Sequence, residues 1–290
     1  MENPIEKIAT AIGRGRLRDA ITARETIHFP GLLPKADEQL LSLFDLEEAL
    51  AAGTIPPKKL RLFAGHKQVA LELMGVERGG RLRLEVLKQL AKQGVTLVFN
   101  DLVPRMPKLG RIAAAAEALL GDPVELTCVV SFGETSGLAL HHDAANLLLI
   151  QLEGSKRWII AGEPIPPGTT AQAPKDDPLP VREIGTQAGD VMFMAAGQQH
   201  RAIADGYSMH LALFPHHVTG AKVLRRFCDK VSADIALNEP SAGMLGAQAD
   251  AQWTQACRAR LHALIDEYDI AEAMQAIRDE KRIQSGFRLR

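Results

Sequence analysis

Three side chains in this sequence could together hold a divalent metal ion. His141 and Asp143 stand two positions apart in Leu140-His141-His142-Asp143-Ala144, between two apolar runs that read as strands. Alternate side chains of an extended chain share a face, so His141 and Asp143 can look into one interior while His142 looks away. His200 follows the run Gly189-Asp190-Val191-Met192-Phe193-Met194, with Gly197 supplying a turn before it. Two imidazoles and one carboxylate make a mixed nitrogen and oxygen donor set that leaves positions open, which suits a non-haem Fe(II) that must also bind a cosubstrate and O₂. A His-x-Asp pair also arises by chance, and His141 alone reads equally well as a satisfied buried histidine. The surrounding elements have to decide.

Those elements change character along the chain. Residues 1–55 read as helical segments with a loop, where Pro30, Gly31 and Pro34 interrupt the pattern around His28, and Glu38 to Ala52 is apolar at helical spacing up to Gly53. Leu60 to Phe63 and Val95 to Phe99 read as strands, and Arg83 to Gln93 and Leu109 to Leu120 as helices, with Gly94 and Gly121 placed as C-caps. From Val124 to about Pro215 short apolar runs alternate with turns: Leu126 to Val130, Leu147 to Leu152, Arg157 to Ala161, Val191 to Met194, Ala202 to Ala204 and Met209 to Phe214. This spacing predicts an all-β sandwich or barrel. Residues 162–180, rich in Pro, Thr and Asp, read as a long loop that could act as a lid. After Gly220 the helical period returns in Lys222 to Leu237, Gln252 to Tyr268 and Ile270 to Ile283.

The residues after Asp143 carry a resemblance. The chain continues Leu147-Leu148-Leu149-Ile150-Gln151-Leu152-Glu153-Gly154-Ser155-Lys156-Arg157-Trp158, and later runs from Gly189-Asp190 through an apolar strand to His200. Gly94-Val95-Thr96-Leu97-Val98-Phe99-Asn100 precedes both as a lead-in strand. Over roughly residues 25–215 this resembles the JmjC-type, cupin-like hydroxylases, above all the ribosomal oxygenase branch. The resemblance implies a mainly β core with flanking helices, a double-stranded β-helix or jelly-roll, over residues 1–219. A C-terminal helical region, 220–290, would follow and could form a homodimer, as the helices after the core do in that branch. It implies Fe(II) on His141, Asp143 and His200, with 2-oxoglutarate and O₂ as cosubstrates. Lys156 stands where the family places the cation for the far carboxylate of 2-oxoglutarate, thirteen positions after Asp143, and a charge-assisted hydrogen bond is the way to hold a carboxylate in a dry pocket. Arg157 alternates to the other face. Thr127 stands where relatives often add a further polar contact to the cosubstrate and is a candidate for it, with plain packing as the alternative, since Thr127 and Val129 depart from the Asn and Tyr of relatives.

The implied activity is hydroxylation of a C–H bond in a protein or peptide side chain, with release of succinate and CO₂. Hydroxylation of a small metabolite or peptide natural product, N-methyl demethylation, and a cupin-fold binding protein without catalysis remain alternatives on sequence. Three more residues could contact substrate or a ligand: His210, on the strand after His200, together with His142 and Asn146. Each also has a plainer reading, as a satisfied core histidine, a surface histidine and a loop cap. The Gly189-Asp190 pair reads as a turn.

Composition narrows the partners. The 290 residues carry a formal net charge of −1, with 46% hydrophobic and 24% charged residues, an ordinary balance for a chain with a sizeable core. No bulk attraction to nucleic acid or an anionic membrane follows, Arg14-Gly15-Arg16-Leu17-Arg18 reads as a solvated face, and 4% aromatic residues do not favour base-stacking platforms. No run of eighteen apolar residues predicts a membrane span. Met1-Glu2-Asn3-Pro4 opens no basic and apolar leader. Cys128, Cys228 and Cys257 are too scattered for a disulfide scaffold or a cysteine zinc site, so a reducing cytoplasm is the simplest compartment. Phosphate-loop, nucleophile-elbow and Cys-x-x-Cys signatures are lacking.

Overall fold

The structure is a computed structural model that describes residues 3–75, 82–134, 137–166, 180–241 and 246–284. The described chain divides into two compact units, one ending at His216 and the other spanning His217–Gln284.

The first unit opens with helices α1 (Pro4–Ile12) and α2 (Arg14–Ala23), then strand β1 (Ile27–Phe29), the short helix α3 (Ala36–Gln39) and α4 (Leu43–Ala51). Strands β2 (Leu60–Ala64) and β3 (Lys67–Gln68), helix α5 (Leu84–Ala91), strand β4 (Thr96–Phe99) and helix α6 (Gly110–Leu120) lead into the β core. The core consists of β5 (Val124–Phe132), β6 (Leu147–Ala161), β7 (Val181–Gln187), β8 (Val191–Met194) and β9 (Gln199–Pro215). Helix α1 starts where Asn3 accepts a hydrogen bond from the Ile5 amide and Pro4 takes the first turn, and it buries Ile5, Ile8 and Ile12 along one stripe.

All the strand pairings are antiparallel, in the order β1-β8-β6-β9-β5-β4-β2-β3, with β7 joined to β6. The two long strands, β6 and β9, run side by side from Leu148 opposite Leu213 to Ala161 opposite Gln199. Their register breaks at Gln151/Glu153 and again at Gly154/Lys156. Before the breaks the other neighbour of β6 is β8, through residues 147–150; beyond them it is β7, through residues 155–161. Bulges of this kind bend a strand. Each long strand therefore serves two sheets in turn, which is the jelly-roll solution to closing an antiparallel sheet on itself.

Alternation sorts the apolar residues into two cores. Leu148, Ile150, Leu152, Val191, Phe193, Leu211 and Leu213 join the large core shared with α1, α4 and α6. Leu147, Leu149, Trp158, Ile160, Met192, Met194 and Ala212 face the other way and fill the barrel interior. Both faces of this part of the sheet are covered, which is why Leu147-Leu148-Leu149-Ile150 reads as a continuous apolar run and not as an alternation.

Several sequence expectations need correcting. Ile27–Phe29, taken as part of a loop, is a strand paired with β8. The helix expected from Glu38 begins only at Leu43, because Ser42 and Asp45 cap each other's backbone amides and stop it there. Leu147 to Leu152 and Arg157 to Ala161 are one strand, as are Ala202 to Ala204 and Met209 to Phe214. Strand β7 was not expected; in it only Thr186 is buried, so it shows no apolar alternation. Of the expected loop 162–180, positions 167–179 lie outside the described residues.

The second unit holds α7 (Gly220–Ser232), α8 (Ala247–Asp266) and α9 (Ile270–Gln284). Thr219 caps α7. That helix stops short of the expected Leu237, because the Asp234 carboxylate turns back to accept the Leu237 amide and pairs with Arg260 at 2.8 Å. Phe227 and Tyr268 meet edge to face at 4.9 Å. No helix among the described residues is long and apolar enough to cross a membrane.

Gly154 tests how sharply the bend is specified. Its φ is +62°, and an added Cβ would stand 2.1 Å from the Tyr207 carbonyl oxygen. Gly154→Ala is expected to lower stability by more than about 3 kcal/mol, from left-handed strain plus a backbone clash. Gly185→Ala on the neighbouring strand, whose new methyl meets nothing within 4 Å, should melt close to wild type in the same thermal scan.

Candidate metal centre

His141 is not part of a regular strand. It makes a single antiparallel bridge to His200, in which each residue's N–H donates to the other's carbonyl, at 3.1 and 2.7 Å. Asp143 is held to the same loop, because its carbonyl accepts from the Gly197 amide at 2.8 Å. Gly197 sits at φ +84° with its would-be Cβ 2.0 Å from the Ile165 carbonyl oxygen, so only glycine fits this crossing. Asn146 braces the loop from the side by accepting the Ala196 amide at 2.9 Å. Two segments about sixty residues apart in sequence are thus tied by backbone bonds at the place where the three side chains meet.

The ring orientations follow from local bonds. His141 Nδ1 lies 2.9 Å from the Ala139 carbonyl and His200 Nδ1 lies 2.9 Å from the Gln198 carbonyl. A carbonyl only accepts, so each Nδ1 carries the proton and each Nε2 keeps a bare lone pair. Both Nε2 atoms face Asp143 Oδ2, at 4.0 Å from His141 and 3.6 Å from His200, and the rings are 4.4 Å apart. Burial is the main reason that His200 is held below the ordinary imidazole pKa, which keeps it neutral and able to ligate. Among the described residues this is the group of His, Cys, Asp and Glu side chains close enough to share an ion. Its spacing is slightly wider than the roughly 3 Å between donors that bonds of about 2.1 Å impose, so an ion would draw the donors inward.

The cluster lies on a cavity of about 170 Å³, whose walls also include Thr127, Leu149, Lys156, Trp158 and His210. Lys156 and His210 are both buried, at 3% and 6% exposure, and their Nζ and Nδ1 atoms are 2.6 Å apart. No carboxylate pairs with Lys156 among the described residues, and burial pushes its pKa down to about 7. His210 is driven well below the usual imidazole range, by burial first and then by Lys156. Arg157 points outward and pairs with Glu183 at 3.0 Å. Trp158 packs edge-on against His210 at 5.3 Å and is fixed by an indole N–H to Thr186 Oγ1 at 3.0 Å. Thr186 in turn donates to Gln151 Oε1, and Gln151 donates to Ser208 Oγ at 2.8 Å.

Thr127 is buried on β5 opposite Ala212 and faces the cavity. His142 is exposed and does not line the cavity. The Gly189-Asp190 turn does more than reverse the chain. Asp190 accepts from the Gly31 amide at 2.7 Å and the Gln187 amide at 3.1 Å, and lies 2.8 Å from His28 Nε2. Sequence reading also passed over Arg61, which reaches the cavity wall from β2. Its place between buried Leu60 and Leu62 was a legible sign that it faces the other way. A larger apolar groove of about 670 Å³, walled by α4 and α5, contains none of these groups.

Residues 108–222 match the JmjC domain family. The chain is 23% identical over 260 residues to ribosomal oxygenase 2 of the mouse, across 84% of this chain and 55% of that protein. It spans about half the length of the curated relatives it matches. Among solved structures, E. coli YcfD superposes with a TM-score of 0.59 at 15% identity, over 87% of this chain and 68% of that one. A second structure of YcfD, described as a ribosomal oxygenase in complex with cobalt and 2-oxoglutarate, gives a TM-score of 0.55 at 15% identity over 88% and 68%. At that identity the structural likeness shows the fold. The chain is thus similar to the JmjC domain family over residues 108–222 and, over most of its length, to ribosomal oxygenase 2.

Proposed function

We propose that this chain is an Fe(II)- and 2-oxoglutarate-dependent dioxygenase that hydroxylates a C–H bond in a protein or peptide side chain. One observation carries the reading. A donor set with two bare Nε2 atoms and a carboxylate shares a small cavity with a buried lysine that pairs with no carboxylate among the described residues. The donor chemistry fits Fe(II), and the lysine fits the far carboxylate of 2-oxoglutarate. The complex of YcfD with cobalt and 2-oxoglutarate supports the same assignment by analogy.

His141, Asp143 and His200 would hold the iron, their tautomers already set by the Ala139 and Gln198 carbonyls. Bound iron with 2-oxoglutarate and O₂ supplies a two-electron oxidation that releases succinate and CO₂ and places one oxygen atom in the substrate C–H bond. The chain's own work is placement. Lys156 fixes the far end of the cosubstrate, while Trp158, Leu147, Leu149 and Phe214 keep water away from the inner wall. Thr127 lines the same wall. A protein substrate is supported by the similarity to ribosomal oxygenases.

The reading extends to a homodimer through α7–α9 and to a cytoplasmic location. Leu224, Ile265 and Ile270 are more than half exposed, beside an apolar groove of about 580 Å³ within the second unit. The thiols of Cys128, Cys228 and Cys257 are free. Sedimentation equilibrium should return twice the chain mass for wild type and the single mass for Leu224→Glu with Ile270→Glu. A wild-type monomer at every concentration would remove the dimer.

Succinate formation from 2-oxoglutarate by Fe(II)-loaded protein tests the activity. His141→Ala and Asp143→Ala should abolish it. Lys156→Ala should require far more 2-oxoglutarate, by about a hundredfold for the loss of a charge-assisted contact. Arg157→Ala should match wild type.

Lys156 also makes a stability prediction. Its pKa is about 7 in the fold against 10.5 ordinarily. Between those values the unfolded chain binds more protons, so this residue makes stability rise as pH rises from 7 to 10.5. Below pH 7 its burial costs up to about 5 kcal/mol. Lys156→Met should therefore raise the melting temperature of the ligand-free protein near pH 7, with the gain shrinking toward pH 10. The variant should also lose the stabilisation by 2-oxoglutarate that wild type shows.

A further inference from the structure

Arg61 stands on β2 at the end of a row that crosses the sheet. By register it lies opposite Val98, Val98 opposite Val129, and Val129 opposite His210. An exposed arginine is ordinary on a surface, but this one reaches the cavity that His141 and Asp143 border. The loop that carries those two residues comes down on the neighbouring row, where Gly137 passes so close that an added Cβ would stand 2.5 Å from the Thr96 side chain. Arg61 and the donor set therefore flank one opening. The guanidinium is held in place without being satisfied. It lies 5.8 Å from the centre of the Phe63 ring, and Nη2 donates to Asn100 Oδ1 at 3.4 Å. Asp101, the residue after Asn100, is already taken by Lys59 at 2.8 Å and Arg105 at 2.9 Å. No carboxylate pairs with Arg61 among the described residues.

Charge decides what such an opening would receive. With the proposed cofactors in place, the two positive charges of Fe(II) and the one of Lys156 are met by the two negative charges of 2-oxoglutarate and the one of Asp143. Arg61 then adds a positive charge without a counter-charge, beside the apolar Val98, Leu138 and Phe214. A guanidinium fork matches a carboxylate with two parallel hydrogen bonds, and apolar surroundings strengthen them. A lysine or arginine side chain would meet like charge at the same place. We propose that Arg61 selects the substrate: its guanidinium grips the side-chain carboxylate of an aspartate or glutamate in a protein or peptide, and so presents a C–H bond of that side chain to the metal. This rests on the dioxygenase reading and narrows it. One oxygen atom of O₂ enters the C–H bond, and the other oxidises 2-oxoglutarate to succinate and CO₂, so the substrate carboxylate is kept.

The test follows the metal-to-ligand charge-transfer band of anaerobic protein loaded with Fe(II) and 2-oxoglutarate, which a side chain entering beside the metal perturbs. The probes are aspartate, glutamate, asparagine and glutamine, each as its N-acetyl methylamide, and N-acetylalanine, whose only carboxylate is terminal. Aspartate or glutamate should perturb the band at a concentration about tenfold or more below that of its own amide, the value of a charge-assisted contact. Arg61→Gln should erase that preference and leave asparagine and glutamine within about twofold of wild type. Arg61→Lys, which keeps the charge without the fork, should restore part of it. The band before any probe is added reports that iron and 2-oxoglutarate are in place in each variant, and the wild-type comparison of acid with amide needs no variant at all. Equal responses to acid and amide, no response to any probe, or a preference that survives in Arg61→Gln would each overturn the proposal. A stronger response to N-acetylalanine than to either acidic side chain would assign Arg61 to a chain terminus and overturn it too. Wild type that shows no band with 2-oxoglutarate sinks the dioxygenase reading and this inference together, whereas a normal band without acid preference sinks only the latter.

Discussion

The reciprocal pair of backbone hydrogen bonds between His141 and His200 is the point on which the site depends. It joins the loop after β5 to the start of β9, and so brings two of the proposed ligands from distant parts of the chain to one edge of the barrel. Everything around it defends that contact. Gly197 lets the Ile165 backbone pass, Asn146 holds the Ala196 amide, and the Gly197 amide holds the Asp143 carbonyl. A three-residue donor set needs placement to within about half an ångström, and placement on backbone bonds is more rigid than placement on side chains alone.

The opposite wall of the cavity answers to a different force. Lys156, His210, Trp158, Thr186, Gln151 and Ser208 form a chain of polar groups inside an otherwise apolar barrel. Most of their hydrogen-bonding capacity is met internally, as burial requires. The exceptions lie where the cavity begins. A fold that keeps an ammonium in the dry without a carboxylate partner gives up stability for it, and such sites mark function more often than structure.

Much of this was readable in the residues, and the limits of reading have physical causes. The His-x-Asp pair, Lys156 and the alternation that sends Arg157 outward are local in sequence, and local spacing sets which face a side chain takes. Val191–Met194 was legible because a short, fully buried strand between glycine turns has few other readings. The long strands were not legible as wholes, since Gly154 and Gly206-Tyr207 break the apolar run just where each strand bends. Strand β7 buries too little to leave a pattern. Contacts such as His28 with Asp190, 162 residues apart, or Lys156 with His210, 54 apart, depend on which strands become neighbours, and no local spacing reports that.

Asp190 gives the N-terminal segment a standing that its position in the chain conceals. Its carboxylate takes bonds from His28 and the Gly31 amide while β1 pairs with β8, so the segment is the outermost strand of the barrel sheet. Were residues before about 35 trimmed away, β8 would become an open edge and Asp190 a buried anion that has lost His28 and the Gly31 amide. An open edge recruits other chains and a stranded anion loosens its surroundings. The first helices and β1 therefore act as the selvedge of the sheet, woven in so that the fabric does not fray, and the minimal autonomous unit is longer than the stretch that carries the proposed metal ligands.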